Sequence, residues 1–226
     1  MSEINTVLFS DVHLGSPVSR AFDLLSALKE LKFKKLIING DMFEDLNFSK
    51  LTTTHWDLLN HIGRISRRGV EVIWIEGNHD EKFYDFMSHL LGIPVYEEYS
   101  WEIKGKKFLA LHGHQFDSFM LKNEFLGRML ARVYTFVQGI VSSRFVDYVT
   151  NHFADKWLRL TEQVADKAIL YAKKKHKDIV ICGHTHFVDN RKKGSVEYFN
   201  LGCWNQKPSY LLIIQDDASA YFKVFA

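Results

Sequence analysis

Cysteine is scarce in this chain of 226 residues, with Cys182 and Cys203 the only two. Two thiols make neither a disulfide framework nor a thiolate metal site, so both read as reduced thiols in a cytoplasmic protein. Long apolar runs are missing too. No uncharged apolar stretch reaches the about 18 residues that a membrane-crossing helix needs. The opening Met1-Ser2-Glu3-Ile4-Asn5 has no basic segment leading into an apolar one, so no signal peptide is expected. Neither sign of charge is in excess: 29 Lys and Arg face 27 Asp and Glu, a net +2 with pI near 8.4. That balance argues neither for nor against a polyanionic partner. Repeats and low-complexity segments are absent. What is present is the make-up of a globular protein, 46% hydrophobic and 25% charged, sufficient for a sizeable core in one domain over 1–226.

In chain order, Thr6 to Phe9 is short and apolar, as a buried parallel strand should be, and ends in Asp11-Val12-His13-Leu14-Gly15. Phe22, Leu24, Leu25, Leu28 and Leu31 follow at helical spacing. Leu36-Ile37-Ile38 runs into Asn39-Gly40-Asp41, and Trp56, Leu58, Leu59, Ile62 and Ile65 predict a second helix. A third strand, Val70 to Ile75, delivers Gly77-Asn78-His79-Asp80. Strand and helix alternating at this spacing predict βαβ units around a parallel sheet, whose ligands bind at the carboxyl ends of strands. Past Pro94 a hairpin over Tyr96 to Leu111 ends in His112-Gly113-His114-Gln115. Residues 116 to about 176 carry no strand signal and predict a helical insertion, with a break at Gly139 and a second run from Phe145 to Tyr171. The apolar Ile179-Val180-Ile181-Cys182 then reaches Gly183-His184-Thr185-His186, and two hairpins, Val188 to Phe199 and Tyr210 to Phe225, complete the chain.

Five strand ends therefore finish in clusters of Asp, Asn and His beside a glycine or turn. A divalent cation that activates water wants carboxylate oxygen and imidazole nitrogen with positions left open, and two such cations need a shared anionic ligand. The clusters supply Asp11, His13, Asp41, Asn78, His112, His184 and His186 as candidate ligands. Their joint placement predicts a two-metal site and a hydrolase of phosphate esters or anhydrides. His79 follows Asn78 directly, so it should project toward the open side, where an imidazolium stabilises developing charge and protonates the departing alkoxide. Asp80 is expected to orient that ring, to cap the helix that starts at Glu81, or both. His55, His61, His89, His152 and His176 lie in helical stretches and read as surface or packing residues.

In this order, D-x-H, G-D, G-N-H-D, H-x-H and G-H-x-H resemble the calcineurin-like metallophosphoesterases. The resemblance spans Asp11 to His186 and implies a four-layer α/β/β/α sandwich. It also implies Asp11, His13, Asp41 and His186 on one metal and Asp41, Asn78, His112 and His184 on the other, with Asp41 bridging. A metal-bridging hydroxide would attack phosphorus in line while His79 assists the leaving group. Donors of this kind accept Mn, Fe, Zn, Co or Ni, with Mn the leading expectation for the two divalent ions. Within that superfamily the chain is most similar to the UDP-2,3-diacylglucosamine pyrophosphatases of lipid A synthesis. The likeness lies in Asp11-Val12-His13-Leu14, Gly40-Asp41-Met42-Phe43-Glu44, Leu201-Gly202-Cys203-Trp204 and the helical insertion. Two positions depart from that pattern, which has Arg in place of His79 and H-G-D in place of His112-Gly113-His114.

Between Gln115 and Leu160 nine aromatics are threaded with Arg and Lys. A helical pair of this make-up over a metal site would form an apolar groove for acyl chains, its cationic heads meeting a diphosphate. Arg128, Arg132, His114 and Phe125 are the residues expected to touch substrate. The same surface has the pattern of an interfacial helix, which predicts peripheral contact with the inner membrane. Plain packing against the sandwich is the alternative. Two further function classes stay open. G-N-H-D also resembles double-strand-break-repair nucleases, which the lack of a basic stripe disfavours. A non-catalytic scaffold such as the retromer subunit of this fold is disfavoured by the intact donors.

Overall fold

The computed structural model describes residues 3–45, 47–79, 88–89, 92–117 and 143–226, with side chains in the last segment from 157 onward. Two sheets carry the architecture. In the first, β1 (Ile4–Phe9), β2 (Phe33–Asn39), β3 (Glu71–Ile75) and β4 (Val95–Tyr96) run parallel. The second contains β5 (Glu98–Ile103), β6 (Lys106–Leu111), β7 (Ile179–Cys182), β8 (Asp189–Lys193) and β9 (Val196–Asn200). The hairpin of β10 (Ser209–Gln215) and β11 (Ala220–Phe225) returns to the first sheet, giving the orders β11-β10-β1-β2-β3-β4 and β5-β6-β7-β9-β8.

Successive side chains of a strand face opposite ways, and here both ways are apolar. Val7, Phe9, Leu36, Ile38, Val72 and Trp74 meet α1 (Ala21–Lys29) and α2 (Thr53–Arg67). Their neighbours Leu8, Ile37, Ile73 and Ile75 meet Phe108, Ala110, Ile179 and Ile181 of the second sheet. The other face of that sheet, Leu109, Leu111, Val180 and Cys182, takes Ala165, Ala168, Ile169 and Ala172 of α3 (Ser143–Lys174). Three apolar layers thus separate helix, sheet, sheet and helix, the α/β/β/α sandwich. Alanines on the docking face of α3 let the helix lie close to the strands.

Several details differ from the periodicity reading. Phe22 is 66% exposed, because the stripe of α1 is Ala21, Leu24, Leu25 and Leu28 and a side chain one residue off it turns outward. Trp56 on α2 is exposed for the same reason. His55 closes the start of α2, its Nδ1 accepting the Thr52 N–H at 3.2 Å. His176 sits in the left-handed turn that ends α3, not in the helix. The segment expected as an insertion from 116 to about 176 includes, in the carboxyl half of α3, an outer layer of the sandwich. The part of the expected helical insertion ahead of the break at Gly139 lies outside the described residues from 118 onward, as does the side chain of His152. Among the described residues no helix is long and apolar enough to cross a membrane.

Candidate metal centre

Register brings the five clusters to one end of the sandwich. Phe9 pairs with Ile38 and Ile38 with Trp74, so β1, β2 and β3 stop level and release Asp11, Asp41 and Asn78 side by side. Ala110 pairs with Ile181, which sets His112 beside Gly183, whose N–H reaches the His112 carbonyl at 2.8 Å. The two sheet edges are then tied across: the Asn39 amide donates to the Leu111 carbonyl at 3.2 Å, and the His184 N–H donates to Asp11 Oδ2 at 3.1 Å.

Backbone strain concentrates here. Asp11, His13, Asp41, His184 and His186 all have positive φ, between 49° and 67°, and make up five of the eight such non-glycine residues among the described ones. Left-handed backbone costs an L-residue about 1 kcal/mol or more, and such strain collects where surrounding structure enforces a working geometry. Two glycines permit the crowding. A Cβ on Gly40 (φ +87°) would lie 2.3 Å from His112 Nδ1, and one on Gly183 would lie 2.5 Å from Asp11 Oδ2.

The donor atoms fall into overlapping groups whose members lie within 4.8 Å of one another: Asp11, His13, His186; His13, Asp41, His79; and Asp41, His112, His184. In the first, His186 Nε2 is 3.1 Å from both Asp11 Oδ1 and His13 Nε2. In the last, His112 Nε2 is 3.2 Å from Asp41 Oδ2, and Asn78 Oδ1 adjoins at 3.0 Å from His184 Nδ1. Asp41 lies between the groups, its Oδ1 accepting the His79 N–H at 2.9 Å. A cation roughly 2.0–2.2 Å from each donor holds neighbouring donors about 3–3.5 Å apart.

Several of the imidazoles also have a polar neighbour at the other nitrogen. His13 Nδ1 lies 3.0 Å from Glu44 Oε2 and His112 Nδ1 donates to the Asn39 carbonyl at 2.8 Å, which turns both Nε2 atoms inward. His184 Nε2 meets Asp117 Oδ2 at 3.1 Å. Cys203, whose thiol donates to Asn205 Oδ1 at 2.8 Å, neighbours His186. His79 Nδ1 donates to the Glu44 carbonyl at 2.9 Å, and its ring stands edge-on to His13 with centroids 4.9 Å apart.

Charge is strongly polarised. Burial alone would raise the Asp11 carboxyl, yet the positive charges of His186 and His112 outweigh it and hold the group far below the usual carboxylate range. Asp41 is likewise held well below that range, burial being overridden by His112 and His79. Burial works against protonated His13 and His112, but the neighbouring carboxylates of Asp11 and Glu44 in the first case and the charges of Asp41 and Asp11 in the second lift both to about 9. His186 is raised well above its ordinary value, the Asp11 charge outweighing burial. His114 goes the other way, to about 3, through burial and then the His112 charge.

Two buried carboxylates thus hold several imidazolium protons in one small volume. Asp11 Oδ1 and His112 Nε2 also have no hydrogen-bond partner although both are buried. Orphaned atoms of this kind, aimed into a cluster of oxygen and nitrogen donors, are what a pair of divalent cations would satisfy. The donor set fits metal.

Of the residues expected from sequence, Asp11, His13, Asp41, Asn78, His79, His112, His184 and His186 come together, and His114 lies beside them, its ring 5.6 Å from that of His112. Asp80, Phe125, Arg128 and Arg132 lie outside the described residues. Sequence reasoning missed Glu44, Asp117 and Ser10, whose hydroxyl lies between the Asp11 carboxylate and the Asn39 carbonyl. Glu44 had a signal, standing three residues after Asp41 in the second cluster; a lone acidic residue in a turn, such as Asp117, had none.

Residues 4–216 match the family model described as the calcineurin-like phosphoesterase superfamily domain. The chain belongs to that superfamily. Membership makes it a hydrolase of phosphoesters and implies divalent metal ions, for which the donor groups above are the candidates. No curated protein matches. Among solved structures the chain is similar to an archaeal phosphodiesterase (13% identity, 97% of this chain and 98% of that one, TM-score 0.54). It is also similar to Yfce, a phosphoesterase from E. coli (15% identity, 98% and 99%, TM-score 0.50). A single mutant of Vps29 from Entamoeba histolytica matches at 16% identity over 98% and 99%, with TM-score 0.48. These likenesses concern the fold.

Proposed function

We propose that this member of the superfamily is a dinuclear phosphohydrolase acting on the pyrophosphate of a nucleotide-linked lipid of the UDP-2,3-diacylglucosamine kind. The single observation that carries the dinuclear reading is Asp41. Its carboxylate adjoins both donor groups, while Asp11 Oδ1 on one side and His112 Nε2 on the other are buried without partners. Asp11, His13 and His186 would hold one cation, His112, His184 and Asn78 the other, and Asp41 both. When bound, such cations, Mn²⁺ foremost, lower the pKa of water and neutralise phosphoryl oxygens.

The chain's own residues supply the rest. His79 directs its Nδ1–H at the Glu44 carbonyl as a hydrogen-bond donor, so Nε2 is the atom at which a proton can be held and passed to the leaving oxygen. Asp80, next in sequence, is proposed to steady that ring. His114, with its Nδ1 buried and unpartnered, is proposed to meet a phosphoryl oxygen or the sugar. Arg128 and Arg132 would pair with the diphosphate and Phe125 with an acyl chain.

An amphiphilic substrate is supported by Trp157 and Phe187, 49% and 50% exposed. The Trp157 indole N–H donates to the Thr185 carbonyl at 3.0 Å, so both aromatics flank the His184–His186 turn and give the site an apolar margin. A wider apolar surface there would also bring the protein to a membrane face. The resemblance in Leu14, Met42, Phe43 and Trp204 speaks to packing, since all four are buried in the core.

The test is a panel of UDP-acylglucosamines, nucleotides, phosphodiesters and single-stranded DNA under Mn²⁺. The UDP-lipid should be cleaved fastest, and Trp157→Ala should raise its KM without changing turnover of a small aryl phosphate. Faster cleavage of phosphodiesters or DNA replaces the lipid by that substrate. Turnover that persists in EDTA contradicts the metal mechanism.

A further inference from the structure

The fourth cluster does more than deliver His112. After β6 the chain passes Gly113 at φ 110° and makes one tight turn, His114–Phe116, with the Phe116 N–H on the Gly113 carbonyl at 3.0 Å and the Asp117 N–H on the His114 carbonyl at 3.0 Å. The Gln115 side chain locks the turn by accepting the Gly113 N–H at 3.0 Å. The turn folds back so that Asp117, five residues beyond His112 and 2% exposed, ends 3.1 Å from His184 Nε2. His184 belongs to the fifth cluster, 67 residues further along.

A carboxylate oxygen only accepts, so the shared proton of this contact sits on His184 Nε2. A neutral imidazole has one N–H, and its other nitrogen then carries a lone pair. That nitrogen, Nδ1, faces Asn78 Oδ1 at 3.0 Å. Two acceptors at that distance repel unless something positive lies between them. We propose that Asp117 is the positioning residue of the enclosed half of the centre: it selects the Nε2–H form of His184 and so presents Nδ1, together with Asn78 Oδ1, to one cation. The inference rests on the dinuclear reading above. It adds that the turn after β6 serves the same cation twice, through His112 directly and through Asp117 by way of His184. Glu44 has the matching place on His13 in the other half, but on the open side of the site.

Two measurements test it on the full chain. Imidazole ¹⁵N NMR of the metal-free protein, with His184 assigned through backbone connectivities of the uniformly labelled wild type, should show a proton on Nε2 and an unprotonated Nδ1; a proton on Nδ1 overturns the proposal and needs no variant that must fold. Mn²⁺ binding by equilibrium dialysis, with electron paramagnetic resonance to separate a coupled pair from a single ion, should give two equivalents for the wild type. Asp117→Ala should weaken one equivalent by roughly 10- to 100-fold and leave the other unchanged, the coupled signal being lost first. Asp117→Asn, which keeps an acceptor without the charge, should fall between. Equal weakening of both equivalents, or none, overturns the role of Asp117. A wild type that binds fewer than two Mn²⁺ contradicts the dinuclear reading itself, an outcome separate from the tautomer result.

Discussion

The two donor groups are built from the same residue types yet differ in their surroundings. In the Asp11–His13–His186 group the His186 side chain is 28% exposed, and Glu44, which holds His13, is 26% exposed. In the Asp41–His112–His184 group His112 is fully buried and Asp117 nearly so. The enclosed group takes Asp41 from the end of β2 and its imidazoles from where β6 and β7 end beneath the layer that α3 closes, while the open one joins the ends of β1 and β7 beside His79. One half is therefore shut off from solvent, and the other is the more exposed.

The largest effect should come from the residue both halves share. Asp41→Ala should lower kcat by about 10³-fold or more, several kcal/mol of transition-state stabilisation, with the fold retained by circular dichroism. A smaller loss would mean that the halves work independently. Next comes His79, which belongs to the open side. Its replacement by Ala should cost roughly 10²- to 10⁴-fold with alkyl leaving groups and far less with a nitrophenolate, which leaves without a proton. Equal loss with both would remove it as the proton donor.

Acidity separates metal-free from metal-bound protein. His13 and His112 keep their protons up to about pH 9 in the metal-free chain, against about 6.5 for free imidazole. Ligation expels those protons, so Mn²⁺ affinity should rise with pH up to about 9 and fall below it, by about tenfold per pH unit for each proton displaced. Calorimetry in buffers of different ionisation enthalpy counts them; no proton release would contradict the ligand assignment. The same shift makes the metal-free fold lose support from these two groups as pH climbs from about 6.5 through 9, because raised pKa values stabilise only while the proton stays on. The smallest effect belongs to the layer behind the enclosed group. Ile169→Val on α3 should cost about 1 kcal/mol in denaturant unfolding and leave turnover unchanged.

The same contrast explains what could be read from sequence. Asp11 with His13, Asn78 with His79 and His184 with His186 each sit within one short turn beside a strand, so pattern alone marks them, and the sheets follow from the apolar runs that precede them. Asp117 acts on a residue 67 positions away, and a chain read locally cannot show that. Phe22 and Trp56 were misplaced because helical spacing marks a face only to within one residue. Leu14, Met42, Phe43 and Trp204 look like a functional signature and turn out to be buried packing. The carboxyl half of α3 reads as part of an insertion because its docking face is largely alanine, which carries little apolar signal.

Anomalous X-ray diffraction from crystals grown with Mn²⁺ tests the shared-carboxylate centre most directly. Two peaks about 3.5–4 Å apart should appear on either side of the Asp41 carboxylate, one against Asp11, His13 and His186 and one against Asn78, His112 and His184. A single peak, or two that do not share Asp41, would contradict it.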